Sequence, residues 1–179
     1  MKKMFLLFII ILTFNIIGCE NNKKDNKLES IDIYKFAEKR NLETLSILSM
    51  ENTYVFTYKK DNKYGIMEVY LDKSNEVNIS DNSLNVNDFD KSILHLQLKG
   101  RNNKNHVGLF ILDENLIKKS KDISIEFKEK IKEKPYKIDV TIFNKESVII
   151  TYKNETLRKI KRIILYSENK NKIYINKYD

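Results

Sequence analysis

Across 179 residues the chain has one cysteine, one proline, four glycines and no tryptophan. Each shortage closes off a class of chemistry or architecture. The lone cysteine, Cys19, cannot make a disulfide within the chain, so the fold must be held by ordinary packing. Past the first 18 residues the only glycines are Gly65, Gly100 and Gly108. They are too scattered for the Gly-x-Gly-x-x-Gly or P-loop cradles of nucleotide phosphates, and no Gly-x-Ser-x-Gly elbow presents a serine nucleophile. The two histidines, His95 and His106, lack the His-x-x-x-His or other tight spacing that metal sites use. Both are expected at a surface or strand rim, and no catalytic residue, metal ligand or cofactor is assigned.

Long apolar runs are equally scarce. One extends from Met4 to Ile17, broken only by Thr13 and Asn15, behind Lys2 and Lys3. A basic end followed by a short apolar core is the layout of an export signal, and the two lysines favour the cytoplasmic side of a membrane. The run has 14 residues, short of the roughly 20 that span a bilayer. It closes on Ile16-Ile17-Gly18-Cys19. This quartet resembles the lipobox of bacterial lipoproteins in residue type, order and distance from the N-terminus. The resemblance implies that residues 1–18 are a signal peptide cut between Gly18 and Cys19. It further implies that the Cys19 thiol carries a diacylglycerol and the new N-terminus a further acyl chain, such as palmitate. Two or more chains make attachment stable, each buried methylene contributing about 0.8 kcal/mol. The resemblance covers residues 1–19 and implies nothing about the rest. The expected location is the cell envelope, the globular part lying outside the cytoplasm and tethered to the membrane, with nucleic acid excluded as a partner.

Loss of residues 1–18 removes Lys2 and Lys3 and no acid, so the formal charge falls from +8 to +6. Lysine supplies nearly all of the positive charge. It reads first as a solvated surface, and second as attraction to anionic lipid headgroups or envelope polymers. Residues 20–30, Glu-Asn-Asn-Lys-Lys-Asp-Asn-Lys-Leu-Glu-Ser, are polar and aperiodic. With Cys19 they read as a lipidated, flexible linker over residues 19–30, leading to a single β-rich domain over residues 31–179.

A short helix is expected around residues 32–40, capped by Ser30, with Tyr34, Phe36 and Ala37 on its buried side. From residue 45 onward strand signals dominate. Strands are expected at 54–58, 64–71 and 76–79, then 92–98, 107–112 and 122–127, then 138–143, 147–152, 160–166 and 172–175. Asp/Asn/Lys-rich turns separate them. The expected class is mainly β, an antiparallel sandwich or barrel of meanders. A partial propeller-like stack of three sheet units is the alternative.

The remaining candidates are weak. Asp81 to Asp90 collects oxygen ligands, but the EF-hand register fails, so a plain solvated loop is expected. Tyr54, Tyr58, Tyr64, Tyr70, Tyr152, Tyr166 and Tyr174 fall in strands, either as good strand formers or as a sugar- or peptide-binding face. Lys118 to Lys121 and Lys128 to Lys134 are densely charged, with glutamates interleaved in the second. The expected role is a binding or scaffolding module at the membrane surface, engaging an envelope protein or polymer. The alternatives are an envelope-polymer hydrolase with dispersed carboxylates and an immunity or inhibitor lipoprotein.

Overall fold

The computed structural model describes residues 28–88, 92–128 and 136–178. Gly18, Cys19 and the linker up to residue 27 lie outside the described residues. No helix among the described residues is long and apolar enough to cross a membrane.

The chain is mainly β, as its alternating pattern predicts. In order, the elements are α1 (Ser30–Lys39), β1 (Glu43–Met50), β2 (Thr53–Lys60), β3 (Lys63–Leu71), β4 (Val77–Asn85), β5 (Ile93–Lys99), β6 (Lys104–Ile111), α2 (Glu114–Lys119), β7 (Asp122–Phe127), β8 (Lys137–Thr141), β9 (Ser147–Lys153), β10 (Ile160–Tyr166) and β11 (Lys172–Lys177). The strands form three antiparallel sheets. A first sheet runs β1-β2-β3-β4, a central sheet β5-β6-β9 and an outer sheet β11-β10-β7-β8. No sheet closes into a barrel. In the first sheet, Asn52 and Asp61 take left-handed φ in the two-residue turns that reverse the chain, a conformation short polar side chains tolerate.

Side-chain alternation explains how the sheets stack. On β2 and β3, Tyr54, Phe56, Tyr58, Met67 and Val69 face α1, where Ile33 meets them. The opposite residues, Val55, Tyr64 and Ile66, face Leu94, Leu96, Leu98 and Phe110 of the central sheet. That sheet turns its other face, Ile93, Val107, Leu109, Ile111, Val148 and Ile150, to Ile123, Ile125, Phe127, Ile163 and Leu165 of the outer sheet. The layers are therefore helix, sheet, sheet, sheet. Covered on both faces, β6 is buried at every position from Asn105 to Ile111, the pattern expected of a strand without a solvent side. Gly108 lets the first and central sheets approach closely: a Cβ there would lie 3.0 Å from Thr57 Cγ2 and 3.2 Å from Ile66 Cβ. A bulkier residue would hold the two layers apart.

Four expectations are corrected. The helix forms, but Glu29 rather than Ser30 is its N-cap, its backbone N–H donating to Asp32 Oδ2 at 3.1 Å. Ile33 and Ala37 are buried while Tyr34 is 54% exposed, because positions 33 and 37 are one helical turn apart and 34 lies off that stripe. Residues 81–85 are not loop but the second half of β4, paired with residues 63–67 of β3. Ladder hydrogen bonds to a strong neighbour outweigh the poor strand propensity of Asp81-Asn82-Ser83. β1, absent from the expected strands, pairs with β2 from Glu43↔Lys59 to Met50↔Thr53. Finally, the later strands do not form consecutive meanders. β9 leaves its sequence neighbours to pair with β6, and β10 pairs with β7, so the central and outer sheets exchange strands.

Candidate functional site

Chemically capable side chains gather in a sealed grouping and in an open one. The sealed one lies between the first and central sheets. His106 on β6 points toward the first sheet, with Nδ1 2.8 Å from Thr151 Oγ1 on β9 and Nε2 3.7 Å from Glu68 Oε1 on β3. The Arg101 backbone N–H lies 3.4 Å from the same carboxylate oxygen. A hydroxyl, an imidazole and a carboxylate in sequence are the parts of a nucleophile relay. Here they do something else. His106 is 0% exposed and Glu68 2%, and the Gly100 backbone presses on the ring so closely that a Cβ there would sit 2.4 Å from Nε2. No substrate reaches the imidazole in this arrangement; the trio joins two sheets. A second polar seam joins the same sheets at the start of β9, where the Ser46 hydroxyl donates to the Ser147 carbonyl at 2.8 Å and Thr57 Oγ1 meets Ser147 Oγ at 2.5 Å.

His106 is thus not the rim residue expected from its place after an Asn-rich loop. Asn105 and His106 already belong to β6, and the lid over the ring comes from the preceding Gly100 turn. His95 is half-buried, its ring 4.4 Å from that of Tyr178. Glu68 was legible in principle: a lone carboxylate inside the apolar run Ile66-Met67-Glu68-Val69-Tyr70 must find a partner if both faces of its strand are covered.

The open grouping is on the solvent face of the outer sheet. Asp122, Lys137, Asp139, Val140, Thr141, Tyr166 and Lys170 surround a shallow depression of about 390 Å³. Asp122 accepts from Lys170 Nζ at 2.6 Å and from Thr141 Oγ1 at 2.8 Å, and those bonds hold its carboxyl below the ordinary range. Asp139 lies 3.0 Å from Lys137 Nζ. Desolvation pushes its carboxyl up, but hydrogen bonding led by Lys137 prevails and the net shift is downward. Glycoside hydrolysis needs one carboxylic acid kept protonated by a raised pKa. Asp122 and Asp139, each paired with a lysine and shifted downward, lack that raised pKa; they offer hydrogen-bond acceptors and negative charge.

Tyr54, Tyr58, Tyr64 and Tyr152 are buried. The Tyr54 hydroxyl donates to the Leu28 carbonyl at 3.2 Å and the Tyr58 hydroxyl to Asp81 Oδ1 at 2.9 Å. Burial, reinforced by the Asp81 carboxylate, pushes the Tyr58 hydroxyl up to about 12. These four rings are core residues with one polar tip, not a ligand face. Among the described residues no group of three or more His, Cys, Asp or Glu side chains could hold a metal ion. Gly18, Cys19 and residues 129–134 of the second charged stretch lie outside the described residues. No family model, no curated protein and no solved structure matches the chain.

Proposed function

We propose that the chain is a lipid-tethered binding or scaffolding module of the bacterial cell envelope. The observation that carries this reading is Ile16-Ile17-Gly18-Cys19 behind a basic and then apolar leader. The fold is compatible with it. The described chain begins at Leu28, whose carbonyl is held by the Tyr54 hydroxyl immediately before α1, so eight residues, 20–27, separate the lipid site from a docked segment. The open face of the outer sheet, with its paired charges, favours a polar partner over a reacting substrate.

Mass spectrometry of the protein purified from cells tests the tether. The mature chain should start at Cys19 and carry diacylglycerol plus N-acyl mass, and Cys19→Ser should leave the precursor uncut and unlipidated. A mature chain that starts elsewhere, or carries no acyl mass, refutes the proposal.

A further inference from the structure

We infer that the end of the sheet stack carrying the 99–104 and 153–159 loops is a docking surface for an anionic bilayer. The inference rests on the lipid-tether reading and deepens it by assigning which end of the domain faces the membrane.

The two loops form one surface. The Asn154 N–H donates to the Asn103 carbonyl at 2.8 Å, and Asn105 Nδ2 donates to the Asn154 carbonyl at 2.7 Å. They present Lys99, Arg101, Lys104, Lys153 and Lys159, all exposed, against one exposed acid, Glu155. Arg101 is braced, its guanidinium 4.1 Å from the Tyr70 ring centre and donating to the Leu71 carbonyl at 3.3 Å. None of the four lysines is in an ion pair among the described residues. Between them Leu157 is 39% exposed, an apolar side chain within a basic rim. Lysines that reach phosphate while a leucine enters the headgroup layer are the pairing an anionic lipid surface rewards.

The point of exit of the tether is at the same end. Leu28 is held by Tyr54. Tyr54 follows Thr53, which pairs with Tyr70, and Arg101 stacks on Tyr70. The opposite end carries the Asp61-Asn62 turn, α2 and Phe143. Nine residue spacings from Cys19 to Leu28 reach at most about 30 Å, and an eight-residue strand is about 26 Å tall. To present the far end to the bilayer the tether would have to run back along nearly the full height of a sheet. Presenting the lysine loops requires no such detour.

The lipidated full chain, reconstituted into neutral or anionic phospholipid vesicles, tests this. Leu157→Cys and Phe143→Cys provide single labelling sites for a fluorophore, because Cys19 is acylated. A lipid-borne quencher reports contact and flotation reports attachment. The expected result is flotation with both vesicle types, and strong quenching at position 157 on anionic vesicles only, lost in high salt. Position 143 should stay unquenched. Changing Lys104 and Lys153 to Gln should weaken quenching at 157, each lysine near the surface accounting for a factor of about five in the docked population. Flotation with quenching that is equal at both positions, equal on neutral vesicles, or indifferent to the Lys→Gln changes overturns the docking surface and leaves the tether standing. Flotation on anionic vesicles alone, with quenching at 157, refutes the tether and supports the surface. Flotation with neither refutes both. Soluble poly(glycerol phosphate) that protects position 157 better than anionic vesicles do would move the surface to an envelope polymer and overturn the lipid assignment.

Discussion

Replacing His106 with leucine removes the imidazole 3.7 Å from Glu68 Oε1. It leaves a carboxylate 2% exposed to water, with the Arg101 N–H at 3.4 Å. Stripping a buried carboxyl of a neighbouring polar group costs about 1–3 kcal/mol. Replacing Glu68 with leucine is milder. His106 keeps Thr151 at 2.8 Å on Nδ1, and its Nε2, 3.7 Å from Glu68, has no hydrogen bond to lose. With both residues leucine, neither polar group remains to be desolvated, and an apolar pair in place of a buried polar one is often neutral. The double variant should therefore lose at least about 1 kcal/mol less than the sum of the singles. Urea unfolding of the chain from residue 20 onward, followed by tyrosine fluorescence and far-ultraviolet circular dichroism, gives the four stabilities of the cycle. Additivity within about 0.5 kcal/mol would refute the reading of these residues as one inter-sheet unit.

Gly108→Ala places a Cβ 3.0 Å from Thr57 Cγ2, and overpacking should cost about 1–3 kcal/mol; an unchanged thermal midpoint would mean that the first and central sheets are not in close contact there. Asp113→Ala removes the N-cap of α2, whose carboxylate accepts from the Asn115 N–H at 2.7 Å and the Leu116 N–H at 3.1 Å, and should cost about 1 kcal/mol in a thermal melt. Asp72 accepts from the Ser74 hydroxyl at 2.6 Å and the Glu76 N–H at 3.0 Å, and these bonds, the Ser74 hydroxyl first, lower its carboxyl to about 2. An unfolded aspartate titrates near about 3.9, so between these values the unfolded state binds more protons and stability falls as pH falls. Asp72→Asn should flatten that part of the acid titration; an unaltered slope would contradict the hydrogen-bond network.

Strands whose own residues alternate cleanly were readable directly, even where, as with β7 and β10, two strands separate the partners in sequence. Residues 122–127 and 160–166 read as strands, and the structure gives the same bounds for β7 and β10. Their ends are set by adjacent turns, and their apolar residues belong to the core they face. Difficulty began where a partner overrode local preference. Asp81-Asn82-Ser83 has a loop's composition, yet β3 supplies a complete ladder and draws it into β4. Glu43–Met50, with Thr and Ser among its apolar residues, becomes a strand through its register with β2.

The amino-acid order alone determined the antiparallel β class, turns such as Asp61-Asn62 and Asp72 to Asn75, and the expectation of a lipid on Cys19, because each rests on local chemistry: side-chain alternation, the φ tolerance of Asn and Asp, and a short motif at a fixed distance from the N-terminus. It did not determine which strands become neighbours. β9 could have paired with β10, its successor, and only packing places it beside β6 to complete a central sheet covered on both faces. That placement brings Thr151 to one nitrogen of the His106 ring, whose other nitrogen lies near Glu68, uniting positions up to 83 residues apart. It also stitches the 153–159 loop to the 99–104 loop. Pairing between distant strands depends on how well whole faces bury against one another, a property of the assembled layers that no window of sequence contains.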